Sequence, residues 1–283
     1  MEKSEIIELI RFSLKEDLSG YGDITSRYLI DAESFSSGHI VCKEKDGAVL
    51  SGIDVAGYVF EEISPDVRME KLKKDGQFAG NSDVICMISG PTLAILSGER
   101  TSLNFIQHMS GIATFTRKFT EIADRYNVKI SDTRKTGPGL RKIEKYAVTC
   151  GGGFNHRFGL FDGILIKDNH IASAGGITEA FGKIKNKTPH NLKIEVEVKT
   201  FSELNEAIAC GADIIMLDNM DHVQIRQAVE IIRQKAHMPC LVEVSGGVNL
   251  ESIEEICAAG VDIVSAGCIT HSAPAADFSL EFE

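Results

Sequence analysis

The chain has 283 residues, of which 43% are hydrophobic and 25% charged, and its formal net charge is −11 at pH 7. This length and composition predict a globular protein of one large domain or two ordinary ones. The acidic balance argues against a surface for nucleic acid or for an anionic membrane.

Targeting and redox signals are absent from the sequence. No apolar run reaches the roughly 18 residues that a membrane-spanning helix needs, and the N-terminal MEKSEIIELI lacks the apolar core of a signal peptide. The seven cysteines include no CxxC pair, which argues against a zinc knuckle or a redox dithiol. We therefore expect a cytoplasmic protein.

The first 110 residues mix helical and strand patterns. Apolar residues at helical spacing predict a helix over 6–18, and a short helix is expected over 54–62. Strands are expected near 67–74 and 83–89. The region therefore favours an α+β layer with a mostly antiparallel sheet.

Two features of this region involve glycine. Alternating residues over 35–52, with a turn at Asp46-Gly47, predict a β-hairpin. A long helical pattern begins after Pro91, and Gly111 within it is a candidate break.

From about residue 114 the pattern changes to alternating strands and helices. Thr200 and Glu203 form a candidate capping box at the start of a helix, and Gly211 marks its end. Short buried strands are expected at 128–132, 163–167, 193–198, 213–218, 240–244 and 261–266. This order predicts a parallel sheet of about six strands, which favours an α/β barrel, either complete or incomplete.

Polar residues follow these strands closely. They are Asp132-Thr133-Arg134-Lys135, Lys167, Glu197, Asp218, Ser245 and Gly267, in the order of the six strands. In barrels of this type the C-terminal strand ends carry the active site. We therefore expect these residues to share one site.

The stretch from Asp132 to His170 is cationic within an acidic chain. It contains seven Lys or Arg residues and four acids, a net charge of +3. Such a concentration of positive charge predicts a site for a small anion. Lys142 and Lys145 fit a solvated helix face, whereas the others that we assign to the site occupy turns and strand ends.

The candidate site residues fall into four kinds. Positive groups suited to carboxylates or phosphates are Arg134, Lys135, Arg157 and Lys167, with His156 beside them. The acids Glu197 and Asp218 suit sugar hydroxyls or Mg²⁺. Backbone N–H groups for a phosphate are expected from the turns Ser245-Gly246-Gly247 and Ser265-Ala266-Gly267. Finally, Arg100 lies on a helix of the first region, from which it could face a partner's site.

Structural roles remain open for some of these residues. Glu195 and Glu197 point the same way from one strand, and inward-facing acids can be structural. His156 could equally be a structural histidine with satisfied hydrogen bonds.

Several long motifs resemble the quinolinate phosphoribosyltransferase family. They are GERTSLNFIQHMSGIAT, DTRKTGPGLRKIEKYAVTCGGGFNHRFGLFDGILIKDNHI, EVEV, DIIMLDN, LVEVSGGV and SAGCITHSAPAADFSL. The resemblance extends from GDITS near residue 22 to the C-terminus. It implies an N-terminal α/β sandwich over 1–113, joined by a returning tail at 274–283, and an α/β barrel over 114–273.

The resemblance also implies a reaction and a set of roles. Quinolinate and phosphoribosyl pyrophosphate would give nicotinate mononucleotide, pyrophosphate and CO₂, with Mg²⁺ as cofactor. Catalysis would involve Arg134, Lys135, Lys167, Glu197 and Asp218, the two acids being the candidate metal ligands. Substrate binding would involve Arg100 from the neighbouring subunit of a homodimer, Thr133, His156, Arg157, Ser245, Gly246, Gly247, Ser265 and Gly267.

Three other functions are compatible with parts of the sequence. A paralogous group linked to molybdenum transport shares the DTRKT-like and GGG-x-x-HR elements, but the complete KDNH motif at 167–170 favours the NAD-biosynthesis enzyme. A non-catalytic barrel that senses a phosphorylated metabolite would not need both Glu197 and Asp218. A Schiff-base aldolase would use Lys167 as its nucleophile.

Overall fold

The structure, a computed structural model, describes residues 1–282. Its β-strands in chain order are β1 Phe35–Cys42, β2 Ala48–Val49, β3 Arg68–Lys71, β4 Phe78–Ala79, β5 Val84–Pro91, β6 Lys129–Ser131, β7 Ile164–Ile166, β8 Ile194–Val198, β9 Ile214–Asp218, β10 Leu241–Ser245, β11 Ile263–Ser265 and β12 Phe278–Phe282.

The α-helices between these strands vary widely in length. In chain order they are α1 Ile7–Leu18, α2 Ile24–Leu29, α3 Ile53–Ile63, α4 Thr92–Ala123, α5 Arg141–Cys150, α6 Asp168–Ala174, α7 Ile177–Lys185, α8 Phe201–Cys210, α9 His222–Lys235, α10 Ile253–Ala258 and α11 Cys268–His271. Short 3₁₀ turns cover Lys3–Glu5 and Asp124–Tyr126. Within residues 1–282, no helix has both the length and the apolar character needed to span a membrane.

The chain divides into two compact units. The first comprises Met1–Arg117, Gly137–Gly152 and the C-terminal segment from Ala273, and the second comprises Lys118–Thr136 and Gly153–Ser272. The cationic stretch is therefore divided, because α5 belongs to the first unit and the residues on either side of it belong to the second.

The first unit contains a four-stranded antiparallel sheet in the order β12-β1-β5-β3. Helix α3 contributes buried side chains to its core, and so does the first half of α4. The largest buried core residues include Ile40, Leu50, Ile53, Phe60, Ile85, Ile95, Leu103 and Phe278.

The predicted hairpin over 35–52 is wrong. β1 pairs with β5 and β12, whereas β2 pairs with β4 in a separate two-stranded sheet. The turn at Gly47 does form, with φ of 74°, but the chain that leaves it does not fold back along β1. Long-range partners, which local alternation cannot reveal, take both edges of that strand.

The predicted solvated face of α5 holds for only one of its two lysines. Lys142 is half exposed and forms an ion pair with Glu5 at 2.9 Å, whereas Lys145 is 2% exposed. Helix α5 packs within the first unit, so this part of the cationic stretch does not form a basic surface.

The second unit contains a six-stranded parallel sheet in the order β6-β11-β10-β9-β8-β7. Each strand overlaps one of the six predicted ones, and most of the strand residues are buried. The strands β6 and β7, neighbours in the sequence, occupy the two edges of the sheet and do not pair. This is the incomplete α/β barrel that the sequence predicted.

The candidate capping box at α8 is confirmed. Glu203 N donates to Thr200 Oγ1 at 3.2 Å, and Thr200 N donates to Glu203 Oε2 at 3.1 Å. Gly211 ends the helix in the left-handed conformation, with φ of 81°.

Gly111 does not break α4, which continues unbroken from Thr92 to Ala123. The absence of a side chain at Gly111 matters for another reason. A Cβ at this position would lie 2.1 Å from the Pro274 carbonyl oxygen, which is too close for any other residue. Nearby, Ala276 N donates to Gln107 O and Gln107 Nε2 donates to Phe278 O, so the C-terminal segment lies directly against the helix. Glycine at 111 therefore permits a close backbone approach.

We expect Gly111→Ala to destabilise the protein by about 1–3 kcal/mol or more, because the added methyl group meets backbone atoms that cannot move independently. Thermal unfolding and urea titration measure this loss. The control is Gly182→Ala on α7, where a Cβ has no neighbour within 4 Å. That change should be neutral or should stabilise by about 0.5–1 kcal/mol, because alanine is the better helix former. Equal unfolding midpoints for the two variants would contradict the role assigned to Gly111.

Candidate active site

A cavity of about 590 Å³ opens at the carboxyl ends of the parallel strands in the second unit. It is lined by most of the predicted site residues, namely Thr133, Arg134, Lys135, His156, Arg157, Lys167, Glu197, Asp218, Ser245, Gly246, Gly247 and Ser265. Gly267 is adjacent, because a Cβ placed on it would lie 3.0 Å from Lys135 Cδ. The parallel sheet thus gathers residues that span more than 130 positions of the sequence.

Arg100 lies elsewhere, on α4 of the first unit. There it lines a separate cavity of about 480 Å³, whose other residues include Asp17, Asn104 and His108.

The turn after β6 presents Arg134 and Lys135 through a fixed backbone. Asp132 at its start is fully buried. Lys135 N donates to Thr133 Oγ1 at 3.0 Å, and Thr270 Oγ1 donates to Lys135 O at 2.7 Å. These hydrogen bonds hold the backbone while the two cationic side chains remain exposed toward the cavity.

Like charges approach each other at one side of the cavity. Burial lowers the pKa of Arg157, and the positive charge of Arg134 lowers it further. Arg157 Nη1 also donates to Gly163 O at 3.0 Å, which fixes the guanidinium at the start of β7. Two guanidinium groups that repel each other across a cavity favour an anion between them.

Lysine and carboxylate groups alternate at the opposite side. Lys167 Nζ lies 3.1 Å from Glu197 Oε2, and Lys199 Nζ lies 2.8 Å from Asp168 Oδ2 and 3.8 Å from Asp218 Oδ2. The Lys199 ammonium lowers the pKa of Asp168, mainly through their hydrogen bond. Counting every lining residue, five Lys or Arg side chains face three acids. The cavity is therefore positive within an acidic protein.

Two buried acids of the barrel interior contact the imidazole ring of His156. Its Nε2 lies 3.2 Å from Glu195 Oε2 and 3.5 Å from Glu243 Oε1. The two carboxylates face Nε2 and favour a proton on that nitrogen. Arg157 N donates to Nδ1 at 2.8 Å. The ring therefore keeps its proton on Nε2, and both of its nitrogens are engaged within the protein.

The last two strands end in turns that suit an anion. Gly246 and Gly247 have φ of 89° and 64°, and the neighbouring Asn219 has φ of 55°. A Cβ on Gly246 would lie 2.5 Å from Asn219 Oδ1, so no larger residue fits there without a shift. Successive glycines in this conformation leave backbone N–H groups accessible to a ligand.

Three polar residues of the cavity were missed by the sequence analysis. Lys199 follows Glu197 by two positions at the end of β8, and Asn219 directly follows Asp218. Asp168, within the KDNH motif, forms the ion pair with Lys199. Their positions just after strands were the available signal, but charge alone did not distinguish them from surface residues.

Two groupings of possible metal ligands exist among residues 1–282. Glu197 and Asp218 end the adjacent strands β8 and β9 and both line the cavity. Separately, His156, Glu195 and Glu243 place one ligand atom each within 4.8 Å of one another. Mg²⁺ prefers carboxylate oxygens completed by water and substrate phosphates. Of the two groupings, the pair at the strand ends has the donors and the open cavity that suit Mg²⁺.

Comparison with known proteins identifies both units. Residues 23–110 match the family described as quinolinate phosphoribosyl transferase, N-terminal domain, and residues 112–281 match its C-terminal domain. A protein of Bacillus subtilis (strain 168), named probable nicotinate-nucleotide pyrophosphorylase [carboxylating], is 42% identical over 99% of this chain and 94% of its own length. A protein of the same name from Archaeoglobus fulgidus is 43% identical over 92% of this chain and 98% of its own.

Solved structures agree with these matches. The nicotinate-nucleotide pyrophosphorylase of Francisella tularensis superposes with a TM-score of 0.93 at 42% identity, covering 100% of this chain and 98% of its own. The similarity thus extends over both units of the chain. The chain belongs to the quinolinate phosphoribosyltransferase family.

Proposed function

We propose that this protein converts quinolinate and phosphoribosyl pyrophosphate into nicotinate mononucleotide, pyrophosphate and CO₂, a step of de novo NAD biosynthesis. The observation that carries the proposal is the pair of guanidinium groups, Arg134 and Arg157, which line one cavity at the carboxyl ends of the strands. Quinolinate has two adjacent carboxylates, and each can accept paired hydrogen bonds from one guanidinium. Nicotinate has one carboxylate, so it could bind only one of the two guanidinium groups in this way.

The remaining charges of the cavity suit the second substrate. Phosphoribosyl pyrophosphate carries several negative charges, and Lys135, Lys167 and Lys199 supply positive charge beyond the two arginines. Ser245, Gly246, Gly247, Ser265 and Gly267 would hold the 5′-phosphate through backbone N–H and hydroxyl groups. In this arrangement the two substrates share one cavity and bind in adjacent parts of it.

The chemistry requires positioning more than proton transfer. The lone pair of the pyridine nitrogen forms the bond to ribose C1′, and the C1′–oxygen bond breaks with its electrons leaving on pyrophosphate. Glu197 and Asp218 lie where they would stabilise a positively charged ribosyl group and accept hydrogen bonds from its hydroxyls. Lys135 and Lys167 would neutralise the departing pyrophosphate.

Decarboxylation follows from the charge on the ribosylated ring. The bond from C2 to its carboxylate breaks, CO₂ leaves, and the electron pair that remains on C2 takes up a proton from solvent water. The cationic ring nitrogen beside C2 stabilises that electron pair, so a dedicated catalytic base is not required.

Magnesium is part of the proposal. Glu197 and Asp218 would hold it together with phosphate oxygens of the substrate, and the bound ion would offset the negative charge of the pyrophosphate group. We further propose a homodimer in which Arg100 of each subunit extends toward the neighbouring cavity. The cytoplasmic location expected from the sequence also stays a prediction.

Product formation tests the proposed reaction. The purified protein is given phosphoribosyl pyrophosphate, Mg²⁺ and either quinolinate or nicotinate, and nucleotide and CO₂ are measured. We expect nicotinate mononucleotide and stoichiometric CO₂ from quinolinate alone. Turnover of nicotinate in preference to quinolinate would contradict the proposal, and turnover of neither would favour the paralogous or sensor function.

Arg134→Ala should reduce kcat/KM for quinolinate by about 30-fold or more, because an unpaired carboxylate in a closed site costs roughly 2–5 kcal/mol. Steady-state kinetics with each substrate varied measures the effect. Arg226→Ala, on the exposed face of α9, removes the same charge away from the cavity and should retain normal kinetics. Near-normal turnover by Arg134→Ala would exclude a carboxylate contact for this residue.

Subunit complementation tests the shared site. Arg100→Ala and Lys167→Ala are each expected to inactivate, and a mixture allowed to exchange subunits should recover about a quarter of wild-type activity. Half of randomly mixed dimers contain one of each chain, and each of these has one intact site. If mixed dimers form, as shown by differential tagging, but remain inactive, Arg100 does not act across the interface.

A further inference from the structure

We infer that Glu195 and Glu243 are positioning residues for the quinolinate subsite, which act through His156 without contacting substrate. The inference rests on the function proposed above and extends it to a layer of the barrel beneath the reacting groups. Three observations carry it: the burial of the acids, the side from which they approach His156, and the hydrogen bonds that His156 makes in turn.

Both acids belong to the barrel interior. Glu195 on β8 is 5% exposed and Glu243 on β10 is 2% exposed, and strand β9 separates them. Among the described residues, the buried Glu195 Oε1 has no hydrogen-bond partner, and the buried Glu243 Oε1 has only the long 3.5 Å contact with His156 Nε2. Buried carboxylates with incomplete hydrogen bonding are costly to a fold, and two of them converging on one imidazole call for a functional explanation.

The acids face His156 from the side opposite the substrate cavity. A second cavity of about 530 Å³ opens at the amino ends of the same strands, and both Glu195 and Glu243 line it. Neither acid lines the cavity at the carboxyl ends, whereas His156 and Arg157 line both. His156 therefore separates the two cavities, with the acids below it and the proposed carboxylate site above.

The ring of His156 is hydrogen-bonded to the backbone of Arg157, so the position of one residue affects the other. Arg157 N donates to His156 Nδ1 at 2.8 Å, and His156 N donates to the buried Asp132 Oδ1 at 2.9 Å. Only a ring with its proton on Nε2 accepts at Nδ1, and a carboxylate at 3.2 Å is the group that keeps that proton in place. Removing the carboxylates would free the ring to rotate or change tautomer, and the backbone of Arg157 would lose its anchor.

The expected effect is selective for one substrate. Since Arg157 is proposed to bind quinolinate, Glu195→Ala and Glu243→Ala should raise KM for quinolinate about tenfold or more, with KM for phosphoribosyl pyrophosphate within about twofold of wild type. Glu195→Gln should recover part of the loss, because its amide oxygen can still accept the Nε2 proton.

Two controls separate positioning from general stability. Asp75→Asn removes a half-buried carboxylate, one that accepts from Tyr146 in the first unit, and should lower the melting temperature without changing either KM. A double-mutant cycle with His156→Gln provides the second control. If the acid acts through His156, Glu195→Ala should have little further effect on KM for quinolinate in the His156→Gln background.

The outcomes of this experiment are distinct. Selective, non-additive loss of quinolinate affinity supports the inference. Wild-type quinolinate kinetics in the glutamate variants, including the milder Gln forms if the Ala forms do not fold, would overturn the inference and leave the proposed function intact. An equal loss in the His156→Gln background would show that the acids act by another route. Absence of quinolinate turnover by the wild-type protein would overturn the proposed function and this inference with it.

Discussion

Parallel pairing of six strands is the constraint on which the site depends. Because all six strands of the second unit run in the same direction, their carboxyl ends meet at one edge of the sheet. One cavity is for this reason lined by residues at or just after the carboxyl ends of five different strands, namely Arg134, Lys167, Glu197, Asp218 and Ser245. The buried strands supply the stability, and the loops after them are free to carry charges that a core would exclude.

Charge is arranged in layers along the barrel. Lys and Arg side chains outnumber acids around the upper cavity, whereas Glu195 and Glu243 lie beneath His156 in the interior. The lower acids offset part of the positive charge above them, since the charge of Glu195 opposes the lowering of the Arg157 pKa that burial and Arg134 cause. A site with this arrangement of charge binds most favourably a ligand whose negative groups are closely spaced. A pyridine dicarboxylate is such a ligand.

The sequence was sufficient to predict what depends on local pattern. Short β-branched runs predicted the barrel strands, and the residue after each run predicted the cavity. The sequence was insufficient where contacts between distant segments determine the strand pairing or the packing. β1 pairs with β12, more than 230 positions away, so the hairpin prediction was wrong. Gly111 permits contact with Pro274, which helical periodicity alone does not show.

The same limit applies within the site. Alternation predicted that Glu195 and Glu197 point the same way, but the convergence of Glu195 with Glu243 on one imidazole depends on the order of β8, β9 and β10 in the sheet. His156 was expected to grip a carboxylate, and the structure shows both of its ring nitrogens engaged in protein contacts. The role of this residue therefore depends on three-dimensional neighbours that lie on separate strands.

The most direct test of the account is an experimental structure of the protein with quinolinate bound. The account predicts the dicarboxylate in the cavity at the carboxyl ends of the strands, with its two carboxylates against Arg134 and Arg157 and with Glu195 and Glu243 still holding His156 from below. Quinolinate bound at another place, or in this cavity without contact to either arginine, would contradict it.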